Sequence, residues 1–446
     1  LLMDKNRRVA VIGSGISGTI AAWLLRSWPG VRLFEADARF GGHTNTAVIN
    51  DQNGQVAVDT GFMVFNHENY PLLSALFQHL GVDSYPTDMS FSASFDSGRL
   101  EYAGTNLDTL FGQRRNLISG GFWGLLWSIV RFNRAARRAL RTPPAANISL
   151  GEFLDRGGFD ERFRAEYLYP MAAAIWSCPR GQIARFPALS FLRFFANHGL
   201  IRLADRPQWL TVNGGASTYM QRLIADLGER AVAGTRVVRV ERNTDQVTLV
   251  FADGRSEVFD DVVLACHSDQ SLALLADPSP SERQILSAIP YQENRVFLHR
   301  DPDLMPRARR VWSSWNYLSE AADDASQAVS VTYWMNSLQR LSTRQDYFVS
   351  LNPLREPSAE TVVDHYEYHH PVFDAAALAA QKQLHRIQGR ARTWFAGAWT
   401  GYGFHEDGMR SGVEVAQALG AKIPWASEVQ ASRDLTLVPQ LVGQAA

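Results

Sequence analysis

Cysteine is scarce. The only two, Cys178 and Cys266, lie far apart and form no CxxC pair, which excludes a disulfide framework and a thiolate zinc site. No run of about 18 uninterrupted apolar residues occurs, so no membrane-spanning helix is expected. The GxSxG signature is absent, which removes the nucleophile elbow of the serine hydrolases. Charge of one sign is also missing: a formal net charge of -1, with 20% charged residues, argues against a polyanion and leaves nucleic acid out as a partner. The residues before Val9 carry Lys5, Arg7 and Arg8 and no long apolar stretch, so secretion is not expected. The expected location is the cytoplasm, with any membrane contact peripheral at its inner face. No histidine stands at metal spacing from another ligand, and no metal is expected.

What is present begins at Val9. Val9 to Ile12 reads as a strand, Gly13 to Gly18 as a turn, Ala21 to Leu25 as part of an apolar helix, and Val31 to Phe34 as a second strand. Gly13-Ser14-Gly15-Ile16-Ser17-Gly18 is therefore a GxGxxG between a strand and a helix, the context a dinucleotide requires. Gly13 allows the tight turn, Gly15 the approach of backbone to pyrophosphate, and Gly18 close helix–strand packing. Free N–H groups at the helix start, Ser17 among them, face the phosphates. Glu35, 22 residues beyond Gly13, ends the second strand where a carboxylate can accept from a ribose. After Ala36, the pair Gly41-Gly42, followed by His43 and Thr44, frees further backbone N–H groups for a long cofactor.

Together these segments resemble the flavin amine oxidase superfamily, with His43 standing where the family usually has arginine. Asp59-Thr60-Gly61-Phe62, continuing into Met63, looks like the segment that passes the flavin ring. Val238 falls on the strand that usually caps the adenine, and Phe395-Ala396-Gly397 resembles the family's late cofactor contact. Phe404-His405-Glu406-Asp407 and the residues to Gly412 look like the helix start that points at the flavin pyrimidine. The resemblance implies non-covalent FAD. It also implies catalytic candidates at His405 and Glu406, the former as a base or merely positioning the cofactor. Trp399 replaces an acid common in amine oxidases, and no lysine lies in the matched flavin-facing segments.

A closer resemblance is to the flavoprotein portion of plant cyclopropane fatty acid synthases and its free-standing bacterial relatives. It rests on Gly61 to Asn66, Ile175 to Pro179, Arg206 to Val212 and Gly401 to Gly408. It implies a lipid acyl chain, methyl-branched or unsaturated, as substrate, and a lipid methyltransferase as partner. Three functions stay open: dehydrogenation of an acyl chain, oxidation of an amine, and an accessory role beside a methyltransferase. The oligomeric state is unspecified.

The implied architecture is α/β: a Rossmann-type FAD-binding domain with a discontinuous α+β substrate domain. Residues 1–86, 206–270 and 391–425 form the first, 87–205 and 271–390 the second, and 426–446 a tail. A Pro143-Pro144 break divides the helical part of the second domain. Thr235 to Val240, Gln246 to Phe251 and Val262 to Cys266 read as a meander, Gln292 to His370 as an antiparallel sheet with His369-His370 in a loop, and Gly408 to Leu419 as the closing helix.

Gly121 to Arg141 reads as a basic amphipathic helix, with Trp123, Trp127 and Val130 on one face and Arg131, Arg134, Arg138 and Arg141 on another. Its aromatic face either packs on its own domain, the favoured reading, or rests on a membrane. A second aromatic run, Phe186 to Phe195, belongs mainly to the core, and a few of its rings are expected to line a tunnel.

Overall fold

The computed structural model describes residues 7–52, 54–104, 106–142, 148–201, 207–320 and 329–425. Pro143-Pro144, Arg206 and the tail from 426 lie outside the described residues.

The runs Val9–Ile12 and Asp261–Leu264, apolar but for Asp261, are buried throughout, as strands covered on both faces must be. They form the centre of a parallel sheet ordered Thr393–Phe395, Asp261–Leu264, Val9–Ile12, Val31–Phe34, Ala231–Val232. The helix Ile16–Leu24 packs against the closing helix His405–Ala418, and glycine makes the contact possible: a Cβ on Gly412 would sit 2.2 Å from the Ser17 carbonyl oxygen. Phe34 meets Phe251 and Phe259 at 5.1 and 5.9 Å, joining the parallel sheet to a small antiparallel one.

That small sheet corrects the expected meander. Its strands are Val237–Arg242, Val247–Phe251 and Ser256–Phe259, while Asp261–Leu264 pairs in parallel with Val9–Ile12. The continuous burial of Asp261–Leu264 separates it from the alternating strands before it. The break expected between 270 and 271 falls inside the helix Ser268–Leu274. The next helix, Pro280–Leu286, is tied back to the small sheet by the buried Arg242–Glu282 pair.

The second sheet has seven strands, ordered Val362–Pro371, Tyr291–His299, Phe348–Leu351, Ser330–Trp334, Trp315–Ser319, Phe91–Phe95, Leu100–Ala103. One pairing, Trp315–Ser319 with Phe91–Phe95, is parallel and joins two distant parts of the chain. His369 and His370 lie in the strand Val362–Pro371 rather than in a loop. The closing helix starts at His405, three residues before the expected Gly408.

Candidate functional site: a long cavity between the two sheets

One cavity of about 1440 Å³ runs from the glycine turn to the seven-stranded sheet. Ligand pockets typically measure roughly 300–1,000 Å³, so this one has room for a large cofactor and a substrate together.

At the nucleotide end, Glu35 is fixed by its neighbours: one oxygen accepts from the backbone N–H and hydroxyl of Ser14 at 2.9 and 2.5 Å, the other from Asp37 N–H at 3.0 Å. The Ser14 hydroxyl in turn accepts from Gly41 N–H at 3.1 Å, which couples the two glycine segments. Gly13, Gly15, Ser17, Ala36, Gly41, Gly42 and Val238 all reach the cavity wall. Gly18 does not; its missing Cβ would lie 1.9 Å from the Gly13 carbonyl oxygen, the packing role expected of it. At Gly15 a Cβ would meet nothing within 4 Å, so only the cavity needs that space empty. His43 leans on Tyr368 and His370 at 4.8 and 5.2 Å, and its buried Nε2 has no partner among the described residues. An orphaned nitrogen, a backbone cradle that a Cβ at Gly15 would fill, and a helix N-terminus together fit an anionic dinucleotide.

Farther in, Gly61, Phe62, Met63, Gly397, Phe404 and His405 line the wall. His405 stacks on Phe62 with centroids 3.9 Å apart, and its Nε2 shares a hydrogen bond with the Tyr219 hydroxyl. Burial lowers its pKa to about 3, so the ring is neutral. Thr44, expected at the cofactor, instead bonds Tyr219 at 3.1 Å.

Glu406 points away from the cavity. Its carboxylate accepts from Leu72 and Leu73 N–H at 2.8 and 3.0 Å, at the start of the helix Pro71–Leu80. That geometry gives it a capping task. Asp407 likewise lies off the wall and accepts from Phe404 N–H at 3.0 Å, shaping the turn that presents Phe404 and His405.

The rest of the wall is mainly apolar, with Met89, Phe91, Met171, Ile175, Leu200 and Leu351 beside the polar Asp88, Ser90, Gln208 and Tyr333. His198 sits among them and was not singled out in the sequence. Its Nδ1 bonds the Phe194 carbonyl at 3.0 Å, which requires Nδ1 to carry the proton and leaves Nε2 as the acceptor. Burial lowers its pKa to about 4, so it is a neutral imidazole whose Nε2 keeps its lone pair. The only available signal was its place just after the aromatic run Phe186 to Phe195. Cys178 is buried off the wall, its thiol pushed up to about 12, a structural cysteine. Glu293, Glu367 and His369 bring three ligand atoms together across paired strands, an exposed cluster this chemistry does not use.

This arrangement defines a dinucleotide-binding protein whose nucleotide groove continues into a mainly apolar chamber. The profile described as flavin containing amine oxidoreductase matches residues 16–301, and the chain belongs to that family. FAD is its cofactor, and the groove from Gly13 to His405 is where these residues would hold it. A Mycobacterium tuberculosis protein named as a putative flavin-containing monoamine oxidase, AofH, is 28% identical over 291 residues, covering 63% of this chain; the match spans 61% of that relative's length. Putrescine oxidase shares the fold at a TM-score of 0.65 and 18% identity, covering 93% of this chain and 99% of its own. A fatty acid isomerase from P. acnes does so at 0.65 and 15%, with the same coverage. Among the described residues, no helix is long and apolar enough to cross a membrane.

Proposed function

We propose that this chain is an FAD-dependent oxidoreductase that removes two hydrogens from a lipid acyl chain, at a carbon beside a branch or double bond. The observation that carries this reading is the apolar chamber. Among the described residues, its carboxylates are confined to Glu35 and Asp37 at the nucleotide end and to the exposed Asp88 and Glu367, leaving no buried acid to receive an ammonium group. Lysine occurs only at 5, 382 and 422, and the latter two do not line the cavity. The fold shared with a fatty acid isomerase is compatible with such a substrate.

FAD bound in the groove supplies a two-electron acceptor for a hydride at its N5. The chain's own part is to hold the acyl segment against Phe404 and His405, exclude water with apolar walls, and take the second hydrogen as a proton on His198 Nε2. The product carries one more carbon–carbon double bond.

An anaerobic absorbance titration with saturated, unsaturated and methyl-branched phospholipids tests this. Bleaching by one class is expected. A flavin that dithionite reduces and no lipid bleaches would overturn the proposal in favour of an accessory role beside a lipid methyltransferase, and peroxide release with amines would replace the substrate class.

A further inference from the structure

The helix Gly120–Arg141 does not divide its tryptophans and arginines between two faces. Trp123, Trp127, Arg131, Arg134, Arg138 and Arg141 recur at helical spacing along a single stripe, tryptophans in the first half and arginines in the second. The side that packs inward is instead Phe122, Leu125, Phe132 and Ala136. The expectation that the aromatic face is covered by its own domain is therefore corrected: Trp123 is 52% exposed and Trp127 58%. The approach to the helix adds Leu117 at 47% and Ile118 at 90%. Four of the large exposed apolar side chains thus fall within one short segment.

Charge on this segment has one sign. From 109 to 151 the sequence holds seven arginines and no acid. Asp108 is already engaged by Arg114 and Arg310, and Glu166 by Arg99 and Arg162. An aromatic tip followed by arginines that lack a carboxylate partner among the described residues matches the depth profile of a bilayer interface, where indole rings sit at headgroup level and guanidinium groups reach phosphates.

The inner side of the same helix walls a second, smaller cavity of about 190 Å³, through Phe122, Leu125, Leu126 and Ile129. This annex shares Tyr102, Gly104, Tyr167 and Leu200 with the main chamber. No charged side chain lines the annex, and none stands among the residues it shares with the chamber.

We propose that the ridge Leu117–Ile118–Trp123–Trp127, with the arginines behind it, docks this protein on an anionic phospholipid surface, and that the annex is the route by which an acyl chain passes from that surface to the chamber. Docking stands on the ridge and its charge alone; the route rests on the acyl-chain reading above.

The test is co-flotation of the FAD-loaded full chain with vesicles of phosphatidylcholine, alone or mixed with phosphatidylglycerol, at low and high salt. Three variants accompany it: Ile118→Ser with Trp127→Ser, Arg134→Ser with Arg138→Ser, and Val48→Ser as a control on an exposed valine elsewhere. The parent and the control are expected to float with the mixed vesicles at low salt, and the other two to lose binding about ten-fold or more. Failure of the parent to float, or equal flotation of every variant, overturns docking. So does a dimer in solution that the Ile118/Trp127 change dissociates, which assigns the ridge to a second copy of this chain. Bleaching by detergent-dispersed lipid is read in parallel: it is expected in all these variants, and its absence with flotation intact would sink the acyl reading and leave docking standing.

Discussion

The imidazole of His198 lies almost parallel to the ring of Phe194, centroids 3.9 Å apart, while its Nδ1 hydrogen bonds the carbonyl of that same residue. Ring and hydrogen bond together fix both the plane and the tautomer. If Nε2 takes the proton, His198→Ala is expected to lower kcat about 10²-fold or more while flavin content and melting temperature stay near those of the parent. The proton-acceptor form persists until pH falls towards about 4, so the acid limb of kcat should lie there. Single-turnover flavin reduction across pH checks both; an unchanged rate in His198→Ala removes the assignment.

Gly15 and Gly18 make a contrasting pair. Gly15 has ordinary φ of -60° and open space where a Cβ would go, whereas at Gly18 a Cβ would collide with the Gly13 carbonyl. Gly15→Ala is expected to fold with an unchanged apoprotein melting temperature yet lose most of its flavin, because the methyl group occupies the cradle. Gly18→Ala should lose both fold and flavin. Absorbance of the purified proteins and thermal melts separate the two; full flavin in Gly15→Ala would contradict the placement of the cofactor.

The nucleotide motif was legible because its chemistry is local: a strand, three glycines and an acid at fixed spacing define backbone geometry without reference to the rest of the chain. Phe62 and His405 were readable only through the resemblance, and nothing in sequence shows that they stack. Glu406 illustrates the limit. Its partners, Leu72 and Leu73, are more than 300 residues earlier, and only the packing of two helices turns a carboxylate expected at the flavin into a cap. His198 was missed for a similar reason, since its role depends on Phe404 arriving from the far end of the chain at 5.6 Å. The tryptophan stripe could have been placed correctly from helical periodicity alone, because position 123 returns to the same side at 134 and 141.

Glu406→Gln tests the capping role directly. Burial pushes its carboxyl up to about 8, against two amide donors and Arg410, which favour the charged form. An amide offers one acceptor oxygen where the carboxyl offers two, so one of the Leu72 and Leu73 N–H groups loses its partner; the expected cost is about 1–2 kcal/mol of stability, with flavin reduction per bound FAD unchanged. Denaturant midpoints and stopped-flow reduction measure the two separately. A large loss of rate at unaltered stability would return Glu406 to the chemistry.

Arg242 and Glu282 form a two-pronged pair at 2.6 and 3.1 Å, both side chains almost wholly buried. Removing the Glu282 charge leaves the buried Arg242 with the more exposed Asp277 as its remaining carboxylate. Glu282→Gln is expected to destabilise the protein by about 3 kcal/mol, seen as a lowered denaturant midpoint. A neutral effect would show that water reaches Arg242.

Acid sensitivity should come chiefly from histidine. Burial depresses His198, His299 and His370 to about 4 and His405 to about 3. His299 is locked in its neutral form, its Nδ1 accepting from Asp301 N–H at 3.1 Å and its Nε2 bonding the Ser350 hydroxyl at 2.8 Å. In the unfolded chain each of these rings protonates near about pH 6.5, while the folded protein resists. Stability contributed by the neutral rings is therefore fully present above about pH 6.5 and is lost progressively as pH falls towards about 4, since the unfolded state then binds more protons. Denaturant unfolding from about pH 7.5 to about 4.5 is expected to show this decline, and His299→Gln, which keeps a polar group facing Ser350, should flatten part of the slope without touching the cavity. A slope identical in that variant would mean that His299 is already charged in the folded protein, contrary to the donor and acceptor pattern around its ring.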